Sequence, residues 1–180
     1  KQHPLAWPTA VFAAVIALLG TAPAFAQLKP GDKAPAFKLD GTDGKTHQLT
    51  DHVGKRAVVI AWTEIVHTWV NEAVHFFREN GKAIRKFDVA YYTASCDSIE
   101  VNKKFSKTLD LDFPILSDPS LKAATAYGVS DGKRKYPARW TFYIGKDGRI
   151  LHIDRKVKAG QHGVDVAAKL AELKVAKRKK

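Results

Sequence analysis

Ala57-Val58-Val59-Ile60-Ala61-Trp62 is an unbroken apolar run, and it constrains the fold more than any other feature of the chain. Six successive residues without a polar position suit a strand packed on both faces, not one with a solvated side. Such a strand needs covering layers, and the sequence after it supplies them. Val66, Val70, Ala73, Val74 and Phe77 recur at helical spacing, leaving Thr68, Asn71, Glu72, His75 and Glu79 on the polar side, with Gly81 placed to interrupt that helix. A second strand is predicted over 89–94, followed by a helix over about 98–109 with Ser98 as N-cap and Val101 and Phe105 facing inward. A third strand over 113–116 ends at Ser117-Asp118-Pro119 and precedes a helix closing at Gly128. Segments 139–144 and 150–157 flank Lys146-Asp147-Gly148-Arg149, an Asp-Gly hairpin turn, and a last helix covers 164–173. Upstream, 37–39 and 46–49 flank Gly41-Thr42-Asp43-Gly44, a hairpin-like opening. The expected class is α/β, a mixed central sheet with helices on both faces and an N-terminal hairpin extension.

A chain of 180 residues with 45% hydrophobic residues and a single Cys is neither a disordered segment nor a disulfide framework. At that length one core can form without metal or disulfide staples. The chain holds no Met and begins at Lys1, which points to a start inside a longer gene product. After Lys1, an apolar stretch over 10–19 is followed by Ala24-Phe25-Ala26. A charged start, a short apolar centre and a small-x-small exit fit a secretory signal peptide over 1–26, since a membrane span needs about 20 apolar residues. The mature unit is then a domain over 27–173 with a basic tail over 174–180, exported to the periplasm or the exterior. The leader holds one Lys and no acid, so the net charge of +12 falls only to +11 without it. That excess favours anionic surroundings. Export and the lack of an aromatic platform argue against nucleic acid. The tail reads as a frayed, solvated helix end, with weak attraction to anionic membrane or envelope polymer as its expected partner contact.

Leu28-Lys29-Pro30-Gly31-Asp32-Lys33-Ala34-Pro35-Ala36-Phe37, Asp43-Gly44-Lys45, Leu116-Ser117-Asp118-Pro119, Tyr127-Gly128-Val129 and Arg139-Trp140-Thr141-Phe142-Tyr143-Ile144 with Asp147-Gly148 follow one another in a recognisable order. Together they resemble the peroxiredoxins of the thioredoxin-fold superfamily, the Q-type branch most closely. The resemblance spans the mature chain and implies a thioredoxin-like domain, thiol-dependent peroxide reduction and no cofactor. It also implies a Pro-x-x-x-Thr-x-x-Cys segment after the central strand. Its Cys opens a helix where backbone N–H groups and an Arg stabilise the thiolate.

Here that segment reads Glu64-Ile65-Val66-His67-Thr68-Trp69-Val70-Asn71. Thr68 matches, Glu64 stands for the Pro and Asn71 for the peroxidatic Cys; aligning from Phe77-Arg78-Glu79-Asn80 shifts the match by one residue, yet no Cys lies between Arg56 and Ser95. A carboxamide cannot replace a thiolate that attacks peroxide and is regenerated through sulfenate. Peroxidase turnover by the family route is therefore expected to be absent. Arg139 matches the active-site Arg, so Thr68, Asn71 and Arg139 are a remnant pocket for peroxide or another small molecule; the alternative for Arg139 is a structural pair with a carboxylate.

Cys96 follows a strand at the carboxyl edge of the sheet, where ligands bind in such folds. Asp97 beside it raises a thiol pKa, and the chain has no second Cys to resolve a sulfenate. A thiol antioxidant using Cys96 is one alternative function, against an idle half-buried thiol. Another is divalent-metal binding by Glu64-x-x-His67 and Glu72-x-x-His75. If all four residues were helical, the two His would lie about 12 Å apart along the axis, too far to share one ion, so only one pair or a folded entry loop suits. The alternatives there are a solvated polar face or acid-base work by His67 or His75. His47, His52, His152 and His162 carry no signature, and no phosphate loop, Gly-x-Ser-x-Gly elbow or HExxH motif is present.

Overall fold

The computed structural model describes residues 27–64, 81–133 and 136–179. In chain order these form β1 (Lys38–Gly41), β2 (Thr46–Gln48), β3 (Ala57–Trp62), β4 (Val89–Ser95), α1 (Ile99–Thr108), β5 (Ile115–Ser117), α2 (Lys122–Ala126), β6 (Thr141–Ile144), β7 (Ile150–Asp154) and α3 (His162–Glu172). The strands make one sheet ordered β2-β1-β5-β4-β3-β6-β7. β3 pairs parallel with β4, and β4 with β5, while β6, β7 and the β1/β2 hairpin join antiparallel. The mixed sheet and N-terminal hairpin are those expected from the sequence.

β3 explains the arrangement. All six of its residues are buried, because alternate side chains enter two separate cores. Val58, Ile60 and Trp62 pack with Tyr92, Ala94, Leu116, Tyr127 and Phe142. Val59 and Ala61 pack on the other face with Ile84, Tyr143, Val166 and Leu170, the last two carried by α3. Burying a side chain of this size stabilises by about 1.5–3 kcal/mol, so a charge anywhere in β3 would cost one core or the other.

Local signals place several ends. Ser98 Oγ accepts the Val101 N–H at 3.4 Å, capping α1. The β6/β7 turn closes at Gly148, whose φ of 77° is the left-handed conformation that favours glycine.

Two expectations need correction. Val101 does not face inward: it is 43% exposed, while Asn102 is fully buried. A polar tie sets the helix rotation, with Ser95 Oγ donating to Asn102 Oδ1 at 3.0 Å and Asn102 Nδ2 donating to Ser117 Oγ at 2.6 Å. Residues 81–84 are helical and the Arg85 N–H donates to the Gly81 carbonyl at 2.9 Å; the helix that Gly81 is expected to interrupt lies outside the described residues. The tail is not frayed. The Asp88 N–H donates to the Ala176 carbonyl at 2.7 Å, the Arg178 N–H to the Lys86 carbonyl at 2.9 Å, and Phe87 bridges Lys177 in antiparallel fashion. Leu173 and Val175 pack on the second core and hold the tail there. The helix expected over 66–79 and the leader over 1–26 lie outside the described residues. No helix among the described residues is long and apolar enough to cross a membrane.

Candidate functional site

The carboxyl end of β3 meets the approach to β6. The Trp62 N–H donates to the Trp140 carbonyl and the Thr63 N–H to the Ala94 carbonyl, both at 2.9 Å, so the sheet's hydrogen bonds run up to the edge of the site. Just beyond, Arg139 Nη2 donates to Glu64 Oε1 at 3.1 Å. The pair is half-buried, with side-chain exposures of 33% and 22%. Neighbouring aromatic groups stiffen the floor: Trp62 lies 5.9 Å from Tyr127, whose hydroxyl donates to the Pro35 carbonyl at 2.9 Å. The Arg155 guanidinium sits 4.8 Å above the Trp140 ring, within cation-π range.

Of the residues singled out in the sequence, Glu64, Arg139 and Cys96 are described; Thr68, Asn71, His67, Glu72 and His75 lie outside the described residues. Glu64 and Arg139 are brought together, which is the carboxylate pairing weighed for Arg139. The Glu64 carboxylate bears on both earlier readings, since it pairs with the Arg139 guanidinium that one of them uses and is itself a ligand in the other.

Cys96 follows β4 and is buried. Burial pushes its thiol up to about 12, with the Asp118 and Asp97 charges adding in that order. The sequence signalled only Asp97. Asp118 comes beside Cys96 because its N–H donates to the Ser95 carbonyl at 2.8 Å; its carboxylate accepts the Ala124 N–H at 2.7 Å and the Ser120 hydroxyl at 2.8 Å. These hydrogen bonds hold the Asp118 carboxylate in place at the start of α2. It opposes formation of the adjacent thiolate.

The histidines that carried no signature in the sequence are ordered. Tyr92 Oη lies 3.1 Å from His47 Nδ1 and 2.8 Å from His52 Nε2, and His47 Nε2 lies 3.0 Å from an Asp43 carboxylate oxygen. The contacts form one continuous chain when His52 donates to Tyr92, Tyr92 to His47, and His47 to Asp43. Burial, then the Arg56 charge, holds His52 below its usual range, while burial pushes Tyr92 up to about 12. His162 Nε2 lies 2.7 Å from Thr141 Oγ1, and burial lowers this imidazole to about 4. Among the described residues no three His, Cys, Asp or Glu side chains gather as a metal-ion cluster.

A parallel β3-β4-β5 core flanked by antiparallel strands, with this edge beside Arg139, defines a thioredoxin-like α/β domain of the peroxiredoxin type. The sequence profile of the AhpC/TSA family matches residues 30–153, and the chain belongs to that family. It is 32% identical over 142 residues to a Mycobacterium tuberculosis (strain H37Rv) protein bearing the name peroxiredoxin, covering 76% of this chain and 90% of the relative. With the peroxiredoxin Bcp of Bacillus subtilis it shares 31% identity over 149 residues, covering 79% and 95% of the two chains. The crystal structure of peroxidoxin BcpB from Mycobacterium tuberculosis superposes with a TM-score of 0.73 at 23% identity, covering 81% of this chain and 97% of that one.

Proposed function

We propose that this chain is an exported peroxiredoxin-family protein in which the thiol-dependent reduction of peroxide has been lost, leaving a domain that acts by binding. The observation that carries this reading is the state of its sulfur. The chain has one Cys and no Met, and that Cys is buried with a thiol pushed up to about 12. A thiol held that high is protonated at pH 7, and the thiolate is the species that attacks peroxide. Asn71 stands where the resemblance puts the peroxidatic Cys. The Glu64 carboxylate gives Arg139 the negative partner that the family's thiolate supplies. A small neutral molecule such as a peroxide is the expected ligand beside Thr68, Asn71 and Arg139, and export follows from the leader pattern over 1–26.

Hydrogen peroxide added with dimedone, followed by intact mass, tests the reading. No sulfenate adduct is expected on the folded chain; a fast stoichiometric adduct at Cys96 would favour the thiol antioxidant instead. Metal binding by Glu64, His67, Glu72 and His75 is the other rival. Metal content after mild purification, compared with His67→Ala and His75→Ala, decides it: equal and negligible metal in all three removes it.

A further inference from the structure

At the opposite end of β3 from Glu64 and Arg139, a cavity of about 350 Å³ opens between three loops. The strand's six residues put roughly 20 Å between its two ends, so this cavity is separate from the candidate site. Lys55 and Arg56 line it from the loop before β3, Lys146 from the β6/β7 turn, and Lys174 from the segment after α3. Asp88 is the one acid among the described lining residues. It lies 4.0 Å from Arg56, a loose and half-exposed pair that leaves the cations in excess. Leu151, Leu173 and Val175 line the same space as apolar surface.

The loops carrying these cations are tied by backbone hydrogen bonds. Gly54, at a φ of 80°, donates its N–H to the Lys146 carbonyl at 2.6 Å. Lys174 takes a φ of 54°, a conformation a side-chain-bearing residue rarely adopts, and its N–H donates to the Ala171 carbonyl at 3.0 Å. That turn directs the tail back along Phe87, and Ala176 becomes part of the cavity wall. The backbone therefore places four cationic residues on the lining of one space, even though like charges repel when brought near one another.

We propose that this cavity binds an organic phosphate, its phosphate group held among Lys55, Arg56, Lys146 and Lys174 and its apolar stem against Leu151, Leu173 and Val175. A cavity of this volume is in the range of small-ligand sites, and an apolar lining with a few placed charges is their usual composition. A phosphate group matches the charge, and only an esterified one uses the apolar surface. The ligand is either a free phosphomonoester or the head group of an acidic phospholipid.

Calorimetric titration of the full chain with hexyl phosphate and with inorganic phosphate tests this. Hexyl phosphate is expected to bind at least about tenfold tighter than inorganic phosphate, the difference reporting the apolar contact. Lys146→Glu and Lys174→Glu are each expected to weaken it by about fivefold or more, whereas Lys103→Glu and Lys104→Glu, with the same change in net charge outside the cavity, change it by less than about twofold. Lys55→Gln, an exposed and milder change, is expected to weaken binding with an unchanged circular dichroism spectrum. Flotation with phosphatidylcholine vesicles containing phosphatidic acid then separates the sources. Flotation lost in Lys146→Glu assigns the lipid head group, and no flotation of the unaltered chain beside retained hexyl phosphate binding assigns the free ester. Absent hexyl phosphate binding, equal affinity for the two phosphates, or equal loss in the Lys103 and Lys104 variants would overturn the proposal.

Discussion

Arg139 donates to Glu64 at 3.1 Å across the end of β3, joining the residue that matches the family's active-site Arg to the residue that stands in place of its Pro. A guanidinium next to a thiolate needs no other anion. On the proposed reading, which puts Asn71 in the Cys position, the Glu64 carboxylate balances Arg139 in place of the thiolate.

Glu64→Gln and Arg139→Gln should therefore be coupled. A half-buried pair of this geometry is worth up to about 1 kcal/mol, so the double variant is expected to be more stable than the sum of the single losses by about 0.5–1 kcal/mol. Urea denaturation of the four proteins measures this. Full additivity would contradict the pairing.

His162 gives the fold a pH dependence. Its imidazole is buried neutral, with burial lowering the folded pKa to about 4 from the ordinary 6.5. The unfolded chain then binds more protons, so this contribution is complete above about pH 6.5 and is lost as pH falls toward 4. The loss approaches about 3 kcal/mol below the folded pKa. Comparing denaturation midpoints of the unaltered chain and His162→Gln between pH 7 and 4.5 isolates it: the difference is expected to shrink with acid. A constant difference would mean that His162 is not held neutral.

Asn102→Ala should be among the most destabilising changes in α1. It leaves the Ser95 and Ser117 hydroxyls without their partner in a buried position and opens a small void. A cost of about 2–3 kcal/mol is expected in chemical denaturation. Val101→Ala, at an exposed site, should change stability by less than about 0.5 kcal/mol.

These residues also mark how far the sequence could be read. β3, the Ser98 cap and the Asp147-Gly148 turn were legible because each depends on neighbours within a few positions. The rotation of α1 was not, because Asn102 finds its partners 7 and 15 residues away on two strands. The backbone pairing of the tail with Phe87 was likewise not legible, because it joins segments far apart in the sequence. Tyr92 meets His47 across 45 residues, so periodicity gave those histidines no signal. In the candidate site Glu64 and Arg139 were each identifiable from the resemblance, and their contact spans 75 residues. The high pKa of Cys96 was half legible: Asp97 is adjacent in sequence, whereas burial and Asp118 come from the fold.

The most direct test of the central claim is steady-state consumption of hydrogen peroxide and of an alkyl hydroperoxide by the purified chain, with excess dithiol as reductant. The unaltered protein and Cys96→Ser are expected to give the same rate as buffer with dithiol alone. Multiple turnovers by the unaltered protein, abolished in Cys96→Ser, would contradict the account.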